Sequence, residues 1–282
     1  MPEFLHKGRR ISYEDYGEGE RPLVLIHGLL VNKRMYDRLA PTIAARGNRV
    51  ITVDLLGHGA SDRPPEMVNY SMRTFGEQVV GLLDHLDLEQ AVIGGTSLGA
   101  NTSLTVARDA PERVKGMLIE MPVLDNALLA VSAFFTPILV ALRFGSPLLK
   151  GVAGVAQRIP RTTGLVDLWL DTVRQDPDPS AAVLEGLFLG AAAPHHDERV
   201  RMGQPALVIG HRADPVHPFS DSGMLAAELP NARLIEATSI LEWWISPKRL
   251  DNHLAGFLDD VWSGLAGPGR APEAAAEAAI RQ

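Results

Sequence analysis

The sequence predicts an α/β protein: a mostly parallel central sheet with helices on both faces and a helical insertion over one edge. Three observations carry this. Short apolar runs alternate with amphipathic, helix-like segments, as expected of strands joined by helical crossovers. Polar motifs follow four of the apolar runs, at the carboxyl ends of the strands, where ligands sit in such sheets. The alternation stops after Pro122 and resumes near Gln204, which marks the insertion.

In chain order, the strand-like runs fall at residues 11–16, 23–26, 50–53, 91–93, 116–120, 206–209 and 233–236. Helix-like segments lie between them at 35–46, 72–86 and 98–110. Residues 1–122 and 204–263 are read as the core and 123–203 as a helical cap. Residues 264–282, rich in Ala, Gly and Pro, are read as a flexible tail. Residues 126–142 contain no charge, and Pro137 interrupts them. At seventeen residues the stretch sits at the short limit for a membrane span. A buried or substrate-facing pair of cap helices is the expectation, with a greasy acyl pocket beneath it. A membrane-surface contact is the lesser reading.

The 282 residues are 46% hydrophobic and 22% charged, the balance of a globular chain large enough to hold a core without staples. With no cysteine, disulfides, thiolate metal sites and cysteine nucleophiles are excluded. A net charge of −7 without a dense Lys/Arg stripe speaks against nucleic acid as a partner. The first ten residues are charged and lack an apolar core, so no signal peptide is visible and a cytoplasmic location is expected. Histidines and carboxylates are scattered without ligand spacing, so no metal is expected. No nucleotide-binding glycine loop appears, so no cofactor is expected either.

The chemistry concentrates at Gly95-Thr96-Ser97-Leu98-Gly99, a G-x-S-x-G after the apolar run 91–93 and before a helix-like one. A serine on so tight a turn holds its hydroxyl clear of the backbone, and Ser97 is the candidate nucleophile. The plain alternative is a strand-to-helix turn that happens to use serine. His27-Gly28-Leu29-Leu30 follows the run 23–26, and Asp54-Leu55-Leu56-Gly57-His58-Gly59 follows 50–53. In this order and spacing, the three motifs resemble the α/β-hydrolase superfamily, in its serine esterase or lipase-like form. The resemblance runs from about residue 11 to residue 258. It implies an oxyanion hole made by the backbone N–H groups of Leu29 and Leu98, with His27 and Gly28 shaping the loop and His58 structural.

The resemblance also implies an acid after the sixth predicted strand. Gly210-His211-Arg212-Ala213-Asp214-Pro215-Val216-His217-Pro218 supplies Asp214, which could equally form an Asx turn before proline. The base departs from the family pattern. A Gly-His pair is expected after the last strand, and Ser239-Ile240 stands there instead. His217 is the first candidate to replace it, oriented by Asp214 or by Glu120 or Asp125. His211, His195 and His196 are further candidates, while His253 is expected to pack or meet solvent on a terminal helix. His85 is read as a surface or packing residue.

The expected function is a serine hydrolase, carboxylesterase-like, acting on a small apolar or acyl ester through a Ser97 acyl-enzyme. Three alternatives stand beside it: a hydrolase-fold protein with little catalysis that binds an apolar small molecule, a non-ester member such as a carbon–carbon hydrolase, lyase or cofactor-free peroxidase, and a membrane-associated protein anchored by residues 126–142. Serine at position 97 argues against haloalkane dehalogenase or epoxide hydrolase chemistry, for which the resemblance would require aspartate. Oligomeric state is not legible.

Overall fold

A computed structural model describes residues 2–160 and 164–266; most of the predicted tail lies outside them. Eight strands form one sheet: β1 (Glu3–His6), β2 (Arg9–Tyr16), β3 (Pro22–Ile26), β4 (Arg49–Val53), β5 (Ala91–Thr96), β6 (Val114–Glu120), β7 (Ala206–His211) and β8 (Ala232–Ala237). Their order is β1-β2-β4-β3-β5-β6-β7-β8. The pairs β1–β2 and β2–β4 are antiparallel, and all others are parallel. In β3 every residue is buried, with Val24 and Ile26 in the core on one face and Leu23 and Leu25 in the core on the other. That is the pattern of a strand covered on both sides.

Helices α1 (Leu39–Ala44), α2 (Met72–His85) and α3 (Leu98–Asp109) connect the first half of the sheet. The Ser71 hydroxyl caps α2 by accepting from the Thr74 N–H, and Phe75, Val79, Leu82 and Leu83 form its buried stripe. Helix α3 lies against the centre of the sheet, buried from Leu98 to Ala107. Its hydroxyls are satisfied within the helix: Thr102, Ser103 and Thr105 donate to the carbonyls of Leu98, Gly99 and Asn101.

Between β6 and β7 the chain forms α4 (Leu128–Phe144), α5 (Ser146–Ala156), α6 (Leu165–Val173), α7 (Pro177–Phe188) and the single turn α8 (His196–Arg199). The second half of the sheet is covered by α9 (Phe219–Glu228), the single turn α10 (Glu242–Ile245) and α11 (Lys248–Trp262).

Three elements differ from the sequence reading. Strand β1 was not predicted. It joins β2 through Lys7-Gly8, both in the left-handed region, a two-residue hairpin turn of the type that matches strand twist. The helix expected at 35–46 is instead a 3₁₀ turn at Lys33–Tyr36 and the short α1. Pro41, with no N–H to give, prevents a continuous helix across this region. Pro137 does not interrupt its stretch but sits inside α4, at an exposed position where water can satisfy the carbonyl it leaves unpaired. Nor is α4 buried: none of its residues is, and Leu129 (81%) and Phe144 (85%) are largely exposed. Helix α5 leaves α4 at 92°, and no single helix among the described residues is long and apolar enough to cross a membrane.

Candidate active site

Ser97 stands between β5 and α3 with φ 53° and ψ −104°, a strained conformation for a residue with a side chain. Two glycines make room for it. A Cβ on Gly95 would lie 2.0 Å from the Ile26 carbonyl oxygen, and one on Gly99 would lie 1.9 Å from the same atom. The turn is tied to the sheet by the Ser97 N–H, which donates to the Glu120 carbonyl at 2.9 Å.

The Ser97 Oγ lies 2.9 Å from His217 Nε2, and His217 Nδ1 lies 2.9 Å from Asp214 Oδ2. The other oxygen of Asp214 accepts from the backbone N–H groups of Val216 (2.8 Å) and His217 (2.9 Å). One carboxylate thus closes an Asx turn with one oxygen and faces the imidazole three residues on with the other. Burial raises the Asp214 pKa, but the hydrogen bonds from His217 and Val216 outweigh it and hold the carboxyl below its ordinary value. An ionised carboxylate only accepts, so a neutral His217 ring would hold its proton on Nδ1 and turn the Nε2 lone pair towards the Ser97 hydroxyl.

The amides of Leu29 and Leu98 have no hydrogen-bond acceptor among the described residues. Both residues line, with Ser97, a cavity of 380 Å³. Leu98 opens α3, where the N–H has no intrahelical partner. Leu29 is presented differently. Its peptide plane is held by the Gly28 carbonyl, which accepts from His27 Nδ1 at 2.8 Å, so the Leu29 N–H points the opposite way. His27 Nε2 in turn accepts from the Leu55 N–H at 3.1 Å. The ring is fully buried, and burial pushes its pKa down, which keeps it neutral as both bonds require. The loop is also pinned by a buried ion pair. Asp54 accepts from Lys33 Nζ (2.8 Å), the Lys33 N–H (2.7 Å) and the Ala60 N–H (2.9 Å). His58 is buried against His27, with ring centroids 4.6 Å apart.

The other histidines are engaged elsewhere. His211 faces the Ser239 carbonyl (3.0 Å) and Glu120 Oε1 (3.1 Å). His195 caps α8, and His196 meets Glu228. His253 is exposed on α11, while His85 stacks on Phe4. Asp125 is exposed, with its carboxylate 4.0 Å from Arg199. Ile240 lines a small cavity of 70 Å³ with Thr96, Glu120 and Trp243. The loop that carries Ile240 is closed by Glu242, which accepts from the Thr238 N–H, the Thr238 hydroxyl and Arg249. Although burial works against its charge, these donors pull the Glu242 carboxyl down to about 2.

His211, read from the sequence as a candidate base, and Glu120, read as a candidate partner for His217, pair with each other instead. The pair lies beside the turn that carries Ser97, and the second Glu120 oxygen accepts from the Thr96 hydroxyl at 2.5 Å. Burial disfavours a charge on His211, yet the hydrogen bond and charge of Glu120 raise its pKa above 6.5. A raised pKa means the pair's stabilisation is complete below the unfolded value and is lost as pH rises through the folded one. The urea midpoint is therefore expected to fall as pH climbs above 6.5, and His211→Gln is expected to flatten that slope. Equal slopes in the two proteins would contradict this.

The cavity above Ser97 runs under α4, between Leu128, Val131, Phe135 and, opposite, Leu187 and Phe188; none of the residues that line it is charged. Its one amide, Asn101, is used up by the backbone of Val123 and Ala192. No group of His or carboxylate side chains among the described residues could hold a metal ion.

A family model for the alpha/beta hydrolase fold matches residues 21–238. The chain is 40% identical over 240 residues to the dihydrolipoyllysine-residue acetyltransferase component of an acetoin cleaving system from Pseudomonas putida. The match takes in 78% of this chain but only 59% of the length of that protein. Among solved structures, Est816, described as an N-acyl homoserine lactone degrading enzyme, superposes with a TM-score of 0.72 at 26% identity, covering 91% of this chain and 100% of the other. The enol-lactonase from Burkholderia xenovorans LB400 gives 0.73 at 22% identity, covering 92% and 100%, a likeness of fold.

Proposed function

The chain belongs to the alpha/beta hydrolase fold family, and from that footing we propose that it is a serine hydrolase that cleaves carboxylic esters of uncharged, apolar acyl groups. The observation that carries the reading is the unbroken line Ser97 Oγ–His217 Nε2 and His217 Nδ1–Asp214 Oδ2, each contact 2.9 Å. Ser97 is the nucleophile, His217 the general base and then acid, and Asp214 the group that orients it. The N–H groups of Leu29 and Leu98 are the oxyanion donors.

In this reading Ser97 Oγ attacks the ester carbonyl while His217 Nε2 takes its proton. Charge develops on the carbonyl oxygen, and the two free amides stabilise it. Asp214 balances the imidazolium. The tetrahedral intermediate collapses, His217 returns the proton to the leaving alkoxide, and the acyl group stays on Ser97. Water, activated by the same imidazole, then releases the acid. The apolar lining under α4 supports an acyl chain without charge. Lactones contain the same bond and fall within the proposed class, in keeping with the described activity of Est816, at 26% identity.

The test is turnover of p-nitrophenyl esters of graded chain length by wild type and Ser97→Ala. Wild type is expected to prefer medium acyl chains over acetate, and Ser97→Ala is expected to lose about four or more orders of magnitude in kcat. An anionic acyl group such as succinyl is expected to be a poor substrate. Wild type without esterase turnover, or Ser97→Ala with full turnover, would overturn the proposal.

A further inference from the structure

The loop proposed to carry an oxyanion donor is gripped from two sides. On the core side, His27 holds the Gly28 carbonyl. On the other, a helix from the insertion reaches down. Thr172 of α6 donates its hydroxyl to the Leu30 carbonyl at 2.8 Å, across 142 positions of sequence. Its own helix offers only a poorer acceptor, the Leu168 carbonyl at 3.5 Å. Leu30 has φ 63°, a left-handed conformation that a branched, non-glycine residue adopts at a cost. Left to itself, Leu30 would relax towards negative φ, and rotation there would carry the preceding peptides, including the Leu29 N–H, off line.

The same face of α6 is fastened to the next residues of the loop. Asp171 accepts from Arg34 Nη1 at 2.6 Å and Asp167 accepts from it at 2.9 Å, while Asn32 Nδ2 lies 3.4 Å from Asp171. Arg174 completes the set by bonding both aspartates. Helix α6 is therefore registered on the loop by ion pairs, and the Thr172 hydroxyl is delivered to one particular carbonyl.

We propose that Thr172 is a positioning residue for the oxyanion hole: cap helix α6, through the Leu30 carbonyl, sets the direction of the Leu29 amide. This rests on the assignment of Ser97 as nucleophile and Leu29 as donor. It makes the cap part of the catalytic machinery, since α6 cannot lift away without releasing the loop.

The experiment compares Thr172→Val, which keeps the shape and removes the donor, with Thr172→Ser, which keeps the donor, and with Thr172→Ala. Thr172 is partly exposed, so all three are expected to fold, and thermal melts check this. Steady-state ester hydrolysis is measured for each. Removing a direct oxyanion donor costs about 10²–10³ in kcat, so misaligning one should cost about 10–100-fold. Valine and alanine are expected to lose kcat by that factor with KM changed less than about twofold, the mark of a contact realised in the transition state. Serine is expected to restore most of the loss. An active wild type whose Thr172→Val variant keeps its kcat overturns the inference and leaves the hydrolase reading intact. So does a loss confined to KM, or an equal loss in serine and valine. A wild type with no ester turnover overturns both.

Discussion

Replacing His217 by alanine is expected to lower kcat for ester hydrolysis by about four to six orders of magnitude, the loss seen when a triad base is removed. A serine hydroxyl is a weak nucleophile near neutral pH, and among the described residues His217 is the one group within hydrogen-bond reach that can accept its proton. In the proposed mechanism Asp214 adds to this by favouring the Nδ1 tautomer, which leaves Nε2 free to act. The effect should be specific. His253→Ala, at an exposed position on α11, is expected to leave kcat unchanged. His211→Gln is expected to stay within about tenfold of wild type, because His211 is bonded to Glu120 and Ser239 rather than to Ser97. A His217→Ala protein with wild-type turnover would remove His217 from the mechanism.

Gly99→Ala is expected to be among the most damaging single-methyl additions in the chain. The new Cβ would lie 1.9 Å from the Ile26 carbonyl oxygen, a backbone atom at the end of β3 that cannot swing aside. That oxygen also accepts from the Tyr36 hydroxyl at 2.9 Å, so moving it disturbs a second element. Either α3 leaves the sheet or β3 bends, and both displace Ser97 and the loop that follows Ile26. Overpacking of this kind costs about 3 kcal/mol or more. For a chain of this size, that corresponds to a fall in melting temperature of about 6–12 °C. Gly151→Ala is the control: it sits on α5 with nothing within 4 Å of the added carbon, and better helix propensity should leave stability unchanged or slightly raised. A Gly99→Ala protein as stable as Gly151→Ala would show that the close approach at the elbow does not limit the fold.

These two residues illustrate what the sequence could and could not say. The parallel sheet was legible because each central strand is buried on both faces, which leaves apolar runs between helical segments. The elbow was legible because the tight turn beside Ile26 demands glycine on both sides of Ser97. Asp214 was legible as a carboxylate after a strand. His217 could be named only as a candidate, since an acid and base three residues apart look too close to cooperate. An Asx turn brings the two into contact: one Asp214 oxygen holds the turn and the other meets the ring. Exposure of α4 was not legible, because composition reports how apolar a helix is and not what covers it. The contact between Thr172 and Leu30 was invisible for a different reason: it joins positions 142 apart through one hydroxyl, with no local pattern to announce it.

The central claim is that Ser97 is a nucleophile activated by His217. It is tested most directly by reacting the protein with a fluorophosphonate, mapping the adduct by peptide mass spectrometry and measuring the labelling rate. The account predicts one adduct, on Ser97, formed rapidly in wild type and in His211→Gln and lost in His217→Ala. No adduct, an adduct on another serine, or undiminished labelling of His217→Ala would contradict it.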